Sequence, residues 1–259
     1  MRFIVLDTAD ARGSVALFDD GKLVRLESHS TDEDYSSWLL PAVRRVLAPS
    51  GLSNSEPASL SLSELASLSL SKLDGYAVCA GPGSFTGLRV GLTTVKAWSE
   101  IYGKPIAAVS RLEALTASRP AEPQISEAFV AACFDARRGQ LFAAFYQKSP
   151  VGFTLIGEET VIPPAEFIRR VATAAADNPV RWRTPDPQLL QAIPEWQRLI
   201  ENGHVLDPIA PPFAERLGWV AHRKFTTGQV TDAISLDANY VRRSDAELFW
   251  KDNRSAVKA

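Results

Sequence analysis

The chain has 259 residues, 46% of them hydrophobic and 22% charged, with 28 basic against 30 acidic side chains and a formal net charge of −2. Ordinary apolar content with little net charge excludes global disorder, and the lack of a basic excess argues against a stand-alone nucleic-acid binder. The length suffices for one large domain or two modest ones.

In chain order, Phe3–Leu6 is a short apolar run that reads as a buried strand. It is too brief for a signal-peptide core, and no stretch approaches the ~20 apolar residues of a membrane span. A soluble, cytoplasmic protein is expected. Ser14–Phe18 and Leu23–Leu26, joined through Asp19-Asp20-Gly21-Lys22, complete an antiparallel meander. Asp32–Leu47 reads as a helix with Tyr35, Trp38, Leu39, Ala42, Val43, Val46 and Leu47 on one face. Pro41 inside it implies a kink or a late start. Between Ser50 and Ser71, fifteen of 22 residues are Ser or Leu, which reads as an inserted loop without chemistry.

Asp74–Ala80 is the next strand, and it runs into Gly81-Pro82-Gly83-Ser84-Phe85-Thr86-Gly87-Leu88-Arg89. A helix follows to Tyr102, closed by Gly103. Ile106–Val109 is a strand, and Ser110 caps a helix to about Ala117. Pro120 and Pro123 bracket a linker. Phe129–Phe134 and Leu141–Tyr146 form a hairpin about the turn Asp135–Gly139, with another strand near Phe153–Ile156. Helices are expected at Pro164–Ala176, Pro187–Ile193 and Pro211–Thr227. Each half thus opens with a meander, so a duplicated α/β fold of two mixed-sheet lobes with flanking helices is predicted. The lobes are placed at 1–108 and 109–259, the second partly degenerate, its late helix packing back on the first.

The glycine loop admits several readings. A Walker loop fails because Leu88-Arg89 follow Gly87 where Lys-Ser/Thr is needed. A dinucleotide turn fails because position 86 is threonine. The loop therefore either serves packing alone or presents N–H groups with Ser84 and Thr86 to a polar ligand. Gly87 and Gly91, four apart with Thr94 and Trp98, form a flat helix face that suits internal packing or a second chain. With Tyr35, Trp38 and Leu39 added, the candidate partner surface is Tyr35, Trp38, Leu39, Gly87, Gly91, Thr94 and Trp98. Cys79 and Cys133 read as buried free thiols. Asp19-Asp20 and Glu158-Glu159 read as solvated turn carboxylates, and His29, His204 and His222 as surface or capping residues.

The stretch Gly81–Arg89 resembles the TsaB (YeaZ) family. Leu6-Asp7-Thr8, Ser14-Val15-Ala16-Leu17, Ser36–Pro41, Asp135-Ala136-Arg137-Arg138 and Asn239-Tyr240-Val241-Arg242 support it. Tyr35 departs from the histidine frequent there. The resemblance implies the actin/hexokinase/Hsp70-like fold and a role in making threonylcarbamoyladenosine in tRNAs that read A-starting codons. It implies a non-catalytic subunit supporting the catalytic paralogue TsaD, with the ATPase TsaE joining; a homodimer through the candidate partner surface is expected when the partner is absent. ATP and a metal are expected on those partners, and tRNA only through the complex.

The paralogue's two metal histidines, four apart, correspond to Arg111 and Leu115, neither of which is a useful ligand. Asp7-Thr8 resembles a phosphate-loop start, but the glycine waits until Gly13, and the second half has no glycine pair. Asp7, Thr8, Gly83 and Ser84 are weak cofactor candidates only. The rival reading is a self-sufficient ATP-dependent phosphotransferase; a glycoprotease-type peptidase lacks the ligands. Arg137-Arg138 and Arg242-Arg243 are where contact with phosphate or a partner's carboxylates is sought.

Overall fold

The computed structural model describes residues 1–30, 34–48, 69–118, 128–150, 152–176 and 178–242. Most of the Ser/Leu segment, the linker prolines 120 and 123, and Arg243 lie outside the described residues.

The first sheet contains β1 (Arg2–Asp7), β2 (Ser14–Asp19), β3 (Lys22–Ser28), β4 (Gly75–Gly81) and β5 (Ile106–Ser110), in the order β3-β2-β1-β4-β5. The first three pair antiparallel, while β4 joins β1, and β5 joins β4, in parallel. β1 and β4 are solid apolar runs because both of their faces are covered. Gly75 meets Phe225 of a late helix, whereas the next residue, Tyr76, meets Trp98 of the helix after the glycine loop. Successive side chains point to opposite faces, so these two helices sandwich the sheet.

The helices are α1 (Tyr35–Leu47), α2 (Phe85–Tyr102), α3 (Arg111–Thr116), α4 (Pro164–Ala175), α5 (Gln188–Gln191), α6 (Glu195–Glu201) and α7 (Ala214–Thr226). α1 begins at Tyr35 and continues through Pro41. α2 ends on Gly103 at φ 63°, the left-handed conformation glycine adopts without penalty. α7 crosses β1, β2, β4 and β5 of the first sheet, and a Cβ on its Gly218 would lie 2.1 Å from the Phe18 ring.

The second sheet holds β6 (Phe129–Arg137), β7 (Gln140–Ser149), β8 (Gly152–Ile162), β9 (Val180–Thr184) and β10 (Val205–Pro208). Its order, β8-β7-β6-β9-β10, repeats that of the first sheet, including three antiparallel strands followed by two parallel additions. The strand set of the second lobe is therefore complete rather than degenerate, and the division at 108/109 cuts through β5. Sequence patterning misses β9, β10 and α6. In β9 the cause is Arg183, which is buried and donates to the carbonyls of Leu115 and Thr116, so the strand lacks an apolar signature. The helix expected at 187–193 is only the single turn of α5. His204 is also a correction: it is buried behind β9 and accepts the Trp182 Nε1–H at 3.2 Å.

Candidate functional site

β1 ends on Asp7 and Thr8, and the glycine loop packs directly on the residues that follow. Thr8 Oγ1 donates to the Gly87 carbonyl at 2.7 Å, and the Ser84 N–H donates to the Ala9 carbonyl at 2.6 Å. A Cβ at Gly87 would sit 2.1 Å from the Thr8 carbonyl oxygen, and one at Gly91 2.5 Å from Thr8 Oγ1. Gly83 is equally close to Ala9. The Ser84 hydroxyl caps α2 by accepting the Gly87 N–H at 3.4 Å. The small-residue face of α2 is thus closed by the chain's own β1 loop.

This corrects the partner surface. Trp38, Leu39, Gly87, Gly91 and Trp98 are buried in the first lobe, Trp98 against Tyr76. Thr94 is half-buried, with its hydroxyl donating to the Val90 carbonyl. Tyr35 is half-buried, stacked on His29 at 4.3 Å and donating to the Asp10 carbonyl.

Asp7 lies beneath this junction, 1% exposed. One carboxylate oxygen accepts the Ala9 N–H at 3.1 Å, and the other has no protein partner among the described residues. Burial raises its pKa despite the nearby Arg111 guanidinium. Arg111 is itself buried at the start of α3. It is ion-paired to Asp10, with its guanidinium 4.3 Å from the Phe134 ring centroid and 5.0 Å from that of Phe213. Burial opposes its charge, but Asp7 and Asp10 outweigh that and raise its pKa. Asp10 is held below the usual carboxylate range: burial pushes the other way, and Arg111 prevails.

Above Arg111 opens a cleft of about 1040 Å³ between the lobes. The 9–12 loop and Gly83–Phe85 line it from the first lobe, the β6–β7 turn and Asp186 from the second, with Tyr240 beside Phe85 and Arg242 beside Gln140. Its lining holds six arginines, at 12, 89, 111, 137, 138 and 242, against three aspartates, at 10, 135 and 186. Arg137 and Arg138 hold left-handed backbone, φ 64° and 56°, at the hairpin tip. Arg242 donates to Gln140 Oε1 at 2.7 Å. At the mouth Arg89 lies 3.7 Å over the Phe85 ring and donates to Tyr240 Oη at 3.4 Å, while the Phe85 and Tyr240 rings stand 5.3 Å apart. Gly83 and Ser84 reach the cleft; Asp7 and Thr8 lie below its floor.

Glu159 is a further correction, because it is not a solvated turn residue. It sits in β8 and accepts hydrogen bonds from Ser110 Oγ, Tyr146 Oη and Asn239 Nδ2. Burial raises its pKa even against those three donors. Asn239 also donates its N–H to the Ala80 carbonyl at 2.7 Å, so Glu159 ties the end of β5 and the Asn239–Arg242 segment to the second sheet.

Arg111 stands where the family resemblance puts a metal histidine, and it does not fit a metal: a charged guanidinium fixed by two aromatic rings and a carboxylate ligates no cation. Cys79 and Cys133 are buried thiols; burial pushes Cys133 up to about 12 and Cys79 well above its ordinary value, keeping both protonated. Among the described residues no helix is long and apolar enough to cross a membrane.

Two five-stranded lobes of one repeated topology, facing each other across a cleft, define an actin/hexokinase/Hsp70-like protein. A family model for TsaD, tRNA N6-adenosine threonylcarbamoyltransferase, matches residues 52–189, just over half of the chain. The chain is 29% identical over 255 residues to the tRNA threonylcarbamoyladenosine biosynthesis protein TsaB of Escherichia coli (strain K12), spanning 97% of each. It is also 29% identical over 256 residues to TsaB of Bacillus subtilis (strain 168), spanning 98% of this chain and 100% of that one. YeaZ from Pseudomonas aeruginosa superposes with a TM-score of 0.67 at 28% identity, covering 92% of this chain and 99% of that one. The chain belongs to the TsaD-type family, in its TsaB (YeaZ) branch.

Sequence reasoning found the turn arginines and the Asn239–Arg242 segment but not Phe85, Arg89 and Tyr240 as a cluster. Their only sequence signal is that each lies within a stretch that carries the family resemblance.

Proposed function

We propose that the chain acts in tRNA threonylcarbamoyladenosine biosynthesis as a non-catalytic subunit in the cytoplasm. It supports a TsaD-like threonylcarbamoyltransferase, with a TsaE-type ATPase joining; nucleotide hydrolysis and any metal belong to those partners. The observation that carries this reading is Arg111. It stands where the resemblance puts a metal histidine and is committed to Asp10, Phe134 and Phe213, in a chain alike to TsaB proteins over nearly its whole length. Self-association without the partner belongs to the same proposal. Its seam uses exposed positions of α2 such as Ile101, which is 70% exposed.

The test is depletion of the chain in its own cells, with the threonylcarbamoyladenosine content of bulk tRNA measured by mass spectrometry. The modification is expected to fall and to return when the chain is restored; unchanged content overturns the role. Sustained ATP turnover by the purified chain alone overturns its non-catalytic status and favours the phosphotransferase reading.

A further inference from the structure

We propose that the arginine-lined cleft binds a single-stranded RNA segment directly, its arginines meeting phosphates and the Phe85–Tyr240 pair stacking an unpaired base. The proposal deepens the functional reading above, on which the choice of RNA as the physiological polyanion rests. It replaces the expectation that tRNA is met only through partner subunits.

The first support is the location of charge. The whole chain carries −2, yet the cleft gathers six arginines against three aspartates. All three aspartates are engaged within the walls. Asp10 pairs with Arg111, Asp135 meets Arg137 at 3.4 Å, and Asp186 accepts the Asp135 N–H at 3.1 Å. Arg111 is matched from below by Asp7 and Asp10. Six arginines against three aspartates leave the lining a net +3, with Arg12, Arg89, Arg137, Arg138 and Arg242 set around the mouth, where Arg137 is 86% exposed even while paired with Asp135. A confined patch of one sign concentrates ligands of the opposite sign even on a protein of neutral balance.

The second support is independent of charge. Phe85 and Tyr240 are 44% and 42% exposed at the same mouth, neighbours at 5.3 Å, with the Arg89 guanidinium over Phe85. Large exposed aromatic rings beside arginines make a stacking surface of the kind that holds unpaired bases without sequence preference. An acidic peptide would meet the arginines but leave those rings unused. The volume, about 1040 Å³, stands at the top of the range usual for a single small ligand, about 300–1,000 Å³. The positive end of the α2 dipole opens on the same space.

The full chain is titrated into a fluorescein-labelled 12-nucleotide single-stranded RNA of mixed sequence, read by anisotropy over a series of salt concentrations. Binding is expected with a log–log salt slope near −2 to −3, at about 0.7 per neutralised phosphate. Arg137→Gln and Arg242→Gln each weaken binding and flatten that slope by about 0.7. Phe85→Ala and Tyr240→Ala weaken binding roughly 5- to 100-fold with the slope unchanged, and Phe85→Trp retains it. Thermal melts verify each fold, and if Phe85→Ala does not fold, Tyr240→Ala and Phe85→Trp decide. No binding at low salt, full displacement by ATP at its own micromolar affinity, or indifference to the aromatic variants overturns the proposal. A chain that restores tRNA modification in cells but does not bind the 12-mer overturns this inference alone. One that binds but leaves modification unchanged overturns the functional reading alone.

Discussion

Arg111 shows how one side chain decides what a site is for. Where a cation ligand would need a lone pair, it offers a fixed positive charge, held by Asp10 and two aromatic rings. Arg111→Met is expected to destabilise the fold by about 2–4 kcal/mol in urea titration, since it leaves Asp10 without its partner while Asp10's partial exposure softens the loss. A midpoint equal to wild type contradicts this. Asp7 gives a pH prediction. Burial raises its pKa above the unfolded value of about 3.9, so its contribution to stability is present in acid and lost as pH rises through the folded pKa. Asp7→Asn removes that loss. The Tm of the variant relative to wild type is therefore expected to climb with pH across the carboxylate range and then level off; a difference constant with pH refutes the assignment.

At the scale of elements, the glycines of α2 set how closely the helix approaches β1. Thr8 occupies the groove that Gly87 and Gly91 leave, so these positions measure packing within the chain rather than association between chains. Gly87→Ala places a methyl against a backbone carbonyl and is expected to lower stability by about 1–3 kcal/mol. Gly91→Leu is expected to abolish the folded state instead of yielding a folded monomer. Circular dichroism beside size-exclusion chromatography separates these outcomes, and a well-folded Gly91→Leu monomer would restore α2's small face as an intermolecular seam.

For the whole molecule, the two lobes are joined where Glu159 gathers Ser110, Tyr146 and Asn239. Glu159→Ala leaves Asn239 without that acceptor. The amides of Asn239 and Tyr240 are expected to lose protection about tenfold or more in hydrogen exchange, while β1 and β4 stay protected. Equal protection in the variant shows that the segment is held by its backbone bonds alone. Because Tyr240 and Arg242 line the cleft, the same variant should loosen one of its walls.

Much of the frame was legible in the residues. Apolar runs located β1, β2, β4 and the β6–β7 hairpin, Gly103 closed α2 and the Ser110 cap opened α3, whereas the Ser84 cap of α2 shows only in the structure. These signals are short-range: alternation, a hydroxyl at a helix start, a glycine at its end. They fail where burial is polar. Arg183 hid β9, and Glu159 read as solvated because its three donors come from distant segments. The meander that opens each lobe, and the lack of a lone pair for a cation on Arg111 or Leu115, are read from sequence alone, since backbone period and side-chain chemistry need no neighbours; the strand-for-strand repeat of the first sheet is not, because β9 and β10 carry no such pattern. The cleft was decided only by tertiary structure. Its charge exists because segments far apart in the sequence, of which only the Arg137-Arg138 turn and the stretch at Arg242 stand out as basic, converge on one space.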